Sequence, residues 1–226
     1  MKAVILAGGF GKRLRPLTDT TPKPLVLVGG KPIMEWQINW LRQYGYDSFI
    51  ITASYLPEKI VEFFSHKKLG VESEIVIEKE ALGTGGALKN VEHLLKGEQE
   101  FLMVNGDNIT NLNVGEIKLG KNMAALALTQ LRSPYGIINA QGGEITSFVE
   151  KPLLEDCWIN SGVYKMSQKI FGYLPKSGAI ETETFPELVR HKLLGGVKFY
   201  DCYWHGTDNV KDVEEINKDF TAGKIF

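Results

Sequence analysis

The chain has 226 residues, 43% of them hydrophobic and 23% charged, with a formal net charge of −1. That is enough to bury a substantial core, in one large α/β domain or two small ones. The near-neutral balance provides no field for nucleic acid or an anionic membrane, so an anionic substrate must be held by local cations and backbone N–H groups.

In chain order, Ala3-Val4-Ile5-Leu6 is a continuous apolar run that ends at Gly8-Gly9, the pattern of a strand buried on both faces. It is too short for a leader or a membrane span. Cys157 and Cys202 are the only cysteines and form no CxxC, so they read as reduced thiols, with one disulfide as the minor reading. A soluble, cytoplasmic protein is expected. Pro32 to Tyr44 has helical periodicity, with Pro32 suited to the first turn and Gly45 to the position beyond the last. Phe49 to Ile51 reads as a strand, Pro57 to Phe64 as a helix, Glu74 to Ile77 as a strand, Gly86 to Leu95 as a helix and Phe101 to Val104 as a strand. This alternation predicts right-handed crossovers and a doubly wound, mainly parallel sheet.

After Asp107 the pattern changes. Met123 to Gln130, Gly136 to Ala140, Ile145 to Val149 and Trp158 to Met166 read as strands, expected to extend the same sheet and cover one edge. Phe199 to Tyr203 is a late strand and Asn209 to Phe220 a last helix. There is no linker-like stretch, low-complexity segment or repeat, so one domain over 1–226 with two lobes is the simplest account.

The most informative stretch runs from Leu6 to Leu25. Gly8, Gly9 and Gly11 leave bare backbone at a strand end, where N–H groups can approach a polyphosphate. Lys12, Arg13, Arg15 and Lys23 bring four cations to the same loop, and charge-assisted contacts carry most of the binding of a triphosphate. Spacing excludes two other phosphate loops. Lys12 is followed by Arg13 and not by Ser or Thr, and the third glycine of the dinucleotide fingerprint is missing.

The string Leu6-Ala7-Gly8-Gly9-Phe10-Gly11-Lys12-Arg13-Leu14-Arg15-Pro16-Leu17-Thr18, followed by Pro22-Lys23-Pro24-Leu25, resembles the signature of sugar-1-phosphate nucleotidylyltransferases. That family includes glucose-1-phosphate thymidylyltransferases and mannose-1-phosphate guanylyltransferases. The resemblance implies a Rossmann-like, doubly wound, mixed but mainly parallel α/β sheet in three layers, of the nucleotide-diphospho-sugar transferase type. Residues 1–110 would be the nucleotide-binding half and 111–226 the sugar-phosphate half. It also implies that Leu6, Gly8, Gly9 and Gly11 wrap the nucleotide, that Arg13 meets its β- and γ-phosphates, and that Lys23 bridges the α-phosphate and the sugar phosphate. Arg13, Lys23 and Asp107 are thereby the catalytic set.

Four further motifs follow in order. Glu78 to Gly86 resembles the base-reading loop, with Glu78, Gly83 and Thr84 on the nucleotide. Glu78 stands where thymidylyltransferases carry glutamine. A carboxylate only accepts hydrogen bonds, which suits the two donors on guanine, although a solvated glutamate is the plain alternative. Asn105-Gly106-Asp107 follows a buried strand, where ligands bind in open sheets, and the family holds Mg²⁺ with the Asp of this motif. Phe148-Val149-Glu150-Lys151-Pro152 and Asn160-Ser161-Gly162-Val163-Tyr164 resemble its sugar-phosphate segments, which assigns Glu150, Lys151 and Asn160.

The last match is imperfect. Trp204-His205-Gly206-Thr207-Asp208 fits one of two family spacings and makes Asp208 the second Mg²⁺ ligand, while Asp212 reads as a first-turn charge of the last helix. His66, His93, His191 and His205 show no metal-ligand spacing, and Trp36 and Trp40 read as core. The expected reaction joins a nucleoside triphosphate to a sugar 1-phosphate and releases pyrophosphate. GTP with mannose 1-phosphate or a related sugar, such as a heptose, comes first, and UTP or dTTP with glucose 1-phosphate or an amino-sugar 1-phosphate second. A silent regulatory paralogue that binds nucleotide sugar is the reading from another class. Homo-oligomerisation is left open.

Overall fold

The computed structural model describes residues 1–225; Phe226, the last residue of the expected domain, lies outside them. In chain order the first half contains β1 (Lys2–Leu6), β2 (Leu27–Val28), β3 (Lys31–Pro32), α1 (Ile33–Arg42), β4 (Ser48–Ala53), α2 (Pro57–His66), β5 (Glu72–Ile77), α3 (Gly83–Asn90), β6 (Glu100–Asn105) and β7 (Asn108–Thr110). The second contains β8 (Ala124–Arg132), β9 (Ile137–Gln141), β10 (Glu144–Val149), β11 (Leu153–Ser167), α4 (Thr184–Arg190), β12 (Leu194–Phe199), β13 (Trp204–Gly206) and α5 (Val210–Thr221).

A seven-stranded sheet in the order β12-β8-β11-β6-β1-β4-β5 runs through both halves. β1 pairs parallel with β4 and β6, β4 with β5, and β8 with β12; only β11 runs antiparallel, to β6 on one side and β8 on the other. The sheet is therefore mixed but mainly parallel, as expected.

Strand alternation builds the three layers. Ala3, Ile5, Phe49, Ile51, Leu102 and Val104 point to the face covered by α1 and α2, where Ile38, Leu41 and Ile60 meet them. Val4, Ile50, Phe101, Met103, Tyr164 and Met166 point to the other face, under Leu88 of α3 and Leu188 of α4. Burial of such apolar surface, about 25 cal/mol per Å², is the main favourable term. Trp40 joins the first cluster, as expected, and Trp36 packs against a third formed around Leu14, Val28, Ile109 and Ile216.

Three expectations are corrected. The late strand is Leu194–Phe199, not Phe199 to Tyr203. Gly195 and Gly196 disguise it, and they leave room for the side-chain ends of Asn122 and Leu128, which a Cβ would approach to 2.5 Å at Nδ2 and 2.9 Å at Cδ1. After Phe199 the chain leaves the sheet, and Tyr200 is exposed. The strands over 137–149 do not extend the sheet but pair only with each other as a hairpin. The helix expected over 86–95 starts earlier, at Gly83, and stops at Asn90, with a separate 3-10 turn over Glu92–Leu95. The short helix α4 was not legible in the sequence at all.

Cys157 and Cys202 are free, and burial beside Asp201 pushes the Cys202 thiol up to about 11. Among the described residues no helix is long and apolar enough to cross a membrane.

Candidate active site

The carboxyl ends of β1, β4 and β6 open onto one cavity of about 260 Å³. Leu6, Gly8, Gly9, Lys23, Glu78, Gly83, Thr84 and Asp107 all line it. Gly11 and Arg13 stand beside it on the loop after β1. A wider and more open depression of about 930 Å³ lies along α2, lined by Thr20, Lys59, Glu62 and Lys67, but holds none of the expected residues. The smaller cavity is the better candidate, because it sits where an open parallel sheet places ligands.

Backbone needs explain the glycines. A Cβ on Gly8 would lie 3.0 Å from Ser54 Oγ, which donates to the Gly8 carbonyl at 2.7 Å. Gly11 is left-handed at φ 58°, and Thr18 Oγ1 donates to its carbonyl. Ser54 was not singled out in the sequence, although its place at the end of a buried strand was a usable signal. Asn105 was another omission: its Oδ1 is buried at the cavity wall with no hydrogen-bond partner among the described residues.

A four-member ionic network closes one side. Lys23 Nζ donates to Asp107 Oδ2 at 2.7 Å and to Asp208 Oδ1 at 3.4 Å, and Arg13 Nη2 donates to Asp208 Oδ1 at 2.9 Å. Local structure explains why residues a hundred apart in sequence converge. β7 and β13 pair antiparallel, Asn108 opposite Gly206, and the N–H and hydroxyl of Thr207 both bond the Asp107 carbonyl, at 2.9 and 2.8 Å. Asp212 holds Asp208 from behind. Its Oδ2 accepts from the N–H groups of Asp208 and Asn209, and Asn209 completes a capping box at the start of α5.

Two hard carboxylates that converge on Lys23 suit a divalent ion whose remaining ligands come from phosphate or water. Among the described residues no cluster of three or more His, Cys, Asp or Glu side chains could hold a metal ion. His205, the histidine nearest this network in sequence, contacts the Gly206 carbonyl and Glu215.

Glu78 is not a solvated loop residue. It is 6% exposed, and its Oε2 accepts from Leu82 N at 3.4 Å. Burial pushes its carboxyl above the usual range, and the Leu82 N–H and Thr52 hydroxyl pull it partly back. The glycines after it serve the protein on their far side. A Cβ on Gly83 would stand 2.5 Å from the Gly178 carbonyl oxygen, and on Gly86 2.8 Å from that of Lys176.

The residues expected to meet the sugar phosphate lie apart from this cavity's lining. Glu150 is exposed after β10, beside Gly136. Lys151 is left-handed at φ 47°, a strained conformation for a lysine, and its carbonyl accepts from Arg132 Nη1. Asn160 donates to Tyr164 Oη at 2.8 Å and accepts from Gly162 N. Burial raises the fully buried Tyr164 phenol, against a pull down by Asn160 and Asn105. Asn160 is thereby linked to the cavity wall.

The family model described as nucleotidyl transferase matches residues 2–223. The chain is 33% identical to a D-glycero-alpha-D-manno-heptose 1-phosphate guanylyltransferase of Campylobacter jejuni, over 90% of this chain and 93% of that one. It is 32% identical to a UTP--glucose-1-phosphate uridylyltransferase of Synechocystis, over 94% of this chain but only 61% of the relative's length. The crystal structure of HddC from Yersinia pseudotuberculosis complexed with GMP-PN superposes with a TM-score of 0.77 at 26% identity, covering 97% of this chain and 99% of that one.

Proposed function

We propose that this chain, which belongs to the nucleotidyl transferase family and is a sugar-1-phosphate nucleotidylyltransferase, uses GTP with mannose 1-phosphate or a related heptose 1-phosphate. The carrying observation is the buried Glu78 carboxyl in the nucleotide cavity. Guanine offers two donors on one edge, N1–H and the 2-amino group, and an acceptor-only carboxylate receives both. The heptose guanylyltransferase relative and the GMP-PN complex of the structural neighbour support the same base.

In this reading Gly8, Gly9 and Gly11 bring backbone to the triphosphate, and Arg13 neutralises its β- and γ-phosphates. Lys23 lies between the α-phosphate and the incoming sugar phosphate, so that two anions can approach in line. An oxygen of the sugar 1-phosphate attacks the α-phosphorus, the bond to the bridging oxygen breaks, and pyrophosphate leaves. The attacking phosphate is already ionised near neutral pH, so no general base is required. Asp107 and Asp208 would hold Mg²⁺, which neutralises charge developing around the transferred phosphoryl group. Until substrates arrive, Lys23 and Arg13 balance those two carboxylates. Glu150, Lys151 and Asn160 would take the sugar and its phosphate. The free thiols Cys157 and Cys202 suit a cytoplasmic setting.

A second reading also has an observation behind it. Burial favours the protonated form of Glu78, which presents one donor and one acceptor as glutamine does and would suit UTP or dTTP with a glucose 1-phosphate or amino-sugar 1-phosphate.

A matrix of four triphosphates against several sugar 1-phosphates, read by pyrophosphate release, separates the two. Fastest turnover with GTP and a manno-configured sugar is expected. Preference for UTP or dTTP with a gluco-configured sugar would transfer the assignment to the second reading.

A further inference from the structure

We infer that Glu181, a residue of the sugar-phosphate half, is a positioning residue for the nucleotide pocket and acts through Thr84. The inference rests on the reading of this cavity as the nucleotide site.

Ala81, Gly83 and Thr84 form one wall of the cavity, and the loop that carries them has a long internal bond from Leu82 N to Glu78 Oε2 at 3.4 Å. No side chain caps α3 at its start. The segment from Gly178 to Glu181 does this instead. The Gly178 carbonyl accepts from the N–H groups of Gly85 and Gly86, at 3.0 and 3.3 Å, and Gly178 N donates to the Leu82 carbonyl at 2.8 Å. Ile180 N donates to Thr84 Oγ1 at 2.9 Å, and that hydroxyl donates in turn to Glu181 Oε2 at 2.6 Å. The approach is close enough to demand Gly83, which is left-handed at φ 74° and has no room for a Cβ.

Among the described residues the Thr84–Glu181 bond is the one bond of this clamp made between two side chains, and it is charge-assisted. Glu181 therefore fixes the rotor of a hydroxyl on the cavity wall from a position that does not itself line the cavity. Without its acceptor, Thr84 keeps one bond to Ile180 N and its own proton is left unplaced. Part of the binding energy of the triphosphate must then order the loop.

The test measures KM for the triphosphate, KM for the sugar phosphate and equilibrium binding of a fluorescent guanine triphosphate, in wild type and variants. Glu181→Ala should raise KM and Kd for the triphosphate roughly tenfold while leaving KM for the sugar phosphate near its wild-type value. Glu181→Gln keeps an acceptor oxygen and should recover most of the loss. Thr84→Val, isosteric and without the hydroxyl, should match Glu181→Ala, and the double variant should be no worse than either single one. If Glu181→Ala does not fold, Glu181→Gln and Thr84→Val still measure the coupling. A rise in the sugar-phosphate KM alone would overturn the inference, because Glu181 would then touch the sugar directly. Fully additive losses, or unchanged triphosphate binding, would overturn it too. A wild type that binds no triphosphate points instead to failure of the cavity's assignment, which separates the two claims.

Discussion

Lys23 Nζ donates to Asp107 Oδ2 at 2.7 Å, and the lysine side chain is only 11% exposed. Asp107 is 35% exposed and Lys23 also meets Asp208, so the pair contributes little net stability, and the loss of Lys23 leaves the two carboxylates with Arg13 as the one remaining cation of the network. On the proposed reading each would occupy the place of a species the other meets in the reaction, a metal ion for Asp107 and a phosphate for Lys23.

Asp107→Asn keeps the size of the side chain and removes its charge. Metal-dependent pyrophosphate release is expected to fall at least about a hundredfold, with the circular dichroism spectrum unchanged. Retained full activity at saturating Mg²⁺ would remove Asp107 from the metal site.

Lys23→Ala should cost on the order of 3 kcal/mol of transition-state stabilisation, by comparison with a lost oxyanion donor. Lys12 is exposed and stands 5.7 Å from the centroid of the Phe10 ring, outside the ionic network, so Lys12→Ala should change kcat/KM little. Steady-state kinetics on both variants check the contrast, and equal small losses would contradict the roles given to them.

Glu78→Gln is expected to weaken GTP relative to UTP, read as a ratio of kcat/KM. It also has a signature in stability. Burial raises the folded carboxyl above its unfolded value, so the fold favours the neutral form. That contribution is present below the unfolded carboxylate range and is lost as pH rises through the raised value. The melting temperature of Glu78→Gln should therefore exceed that of wild type near neutral pH, and the gap should close toward about pH 4. A gap that widens in acid would show that Glu78 is held charged.

Asp212→Ala removes half of the capping box at the start of α5 and the acceptor that holds the backbone of Asp208. A loss of about 1 kcal/mol is expected in chemical denaturation. Weaker Mn²⁺ binding in a titration would follow if Asp208 is a metal ligand, and unchanged binding would count against that role.

The sequence was most readable where chemistry and local geometry coincide. The run of Ala3 to Leu6 and the glycines after it announce a buried strand and a cradle, and the structure has both. Asn209 was readable as the start of the last helix, because its side chain caps that helix locally. Elements that depend on distant partners were hidden. α3 begins at Gly83 only because a carbonyl from Gly178 satisfies its first N–H groups, which no local pattern reveals. β12 contains two glycines that look like breakers but answer to Asn122 and Leu128. Glu181 went unnoticed for the same reason, since its significance lies in a hydroxyl 97 residues away.

β11 is wedged between β6 and β8, so the strand that ends at Asn105 waits for one that begins at Leu153. A ribosome that has delivered the parallel strands has therefore released a sheet with an open apolar margin, which only a much later part of the polypeptide can seal. Nascent chains halted before that strand should be clients for chaperones. Recombining the two halves from different parents would have to respect this seam, because an exchange point near residue 110 cuts through one continuous sheet.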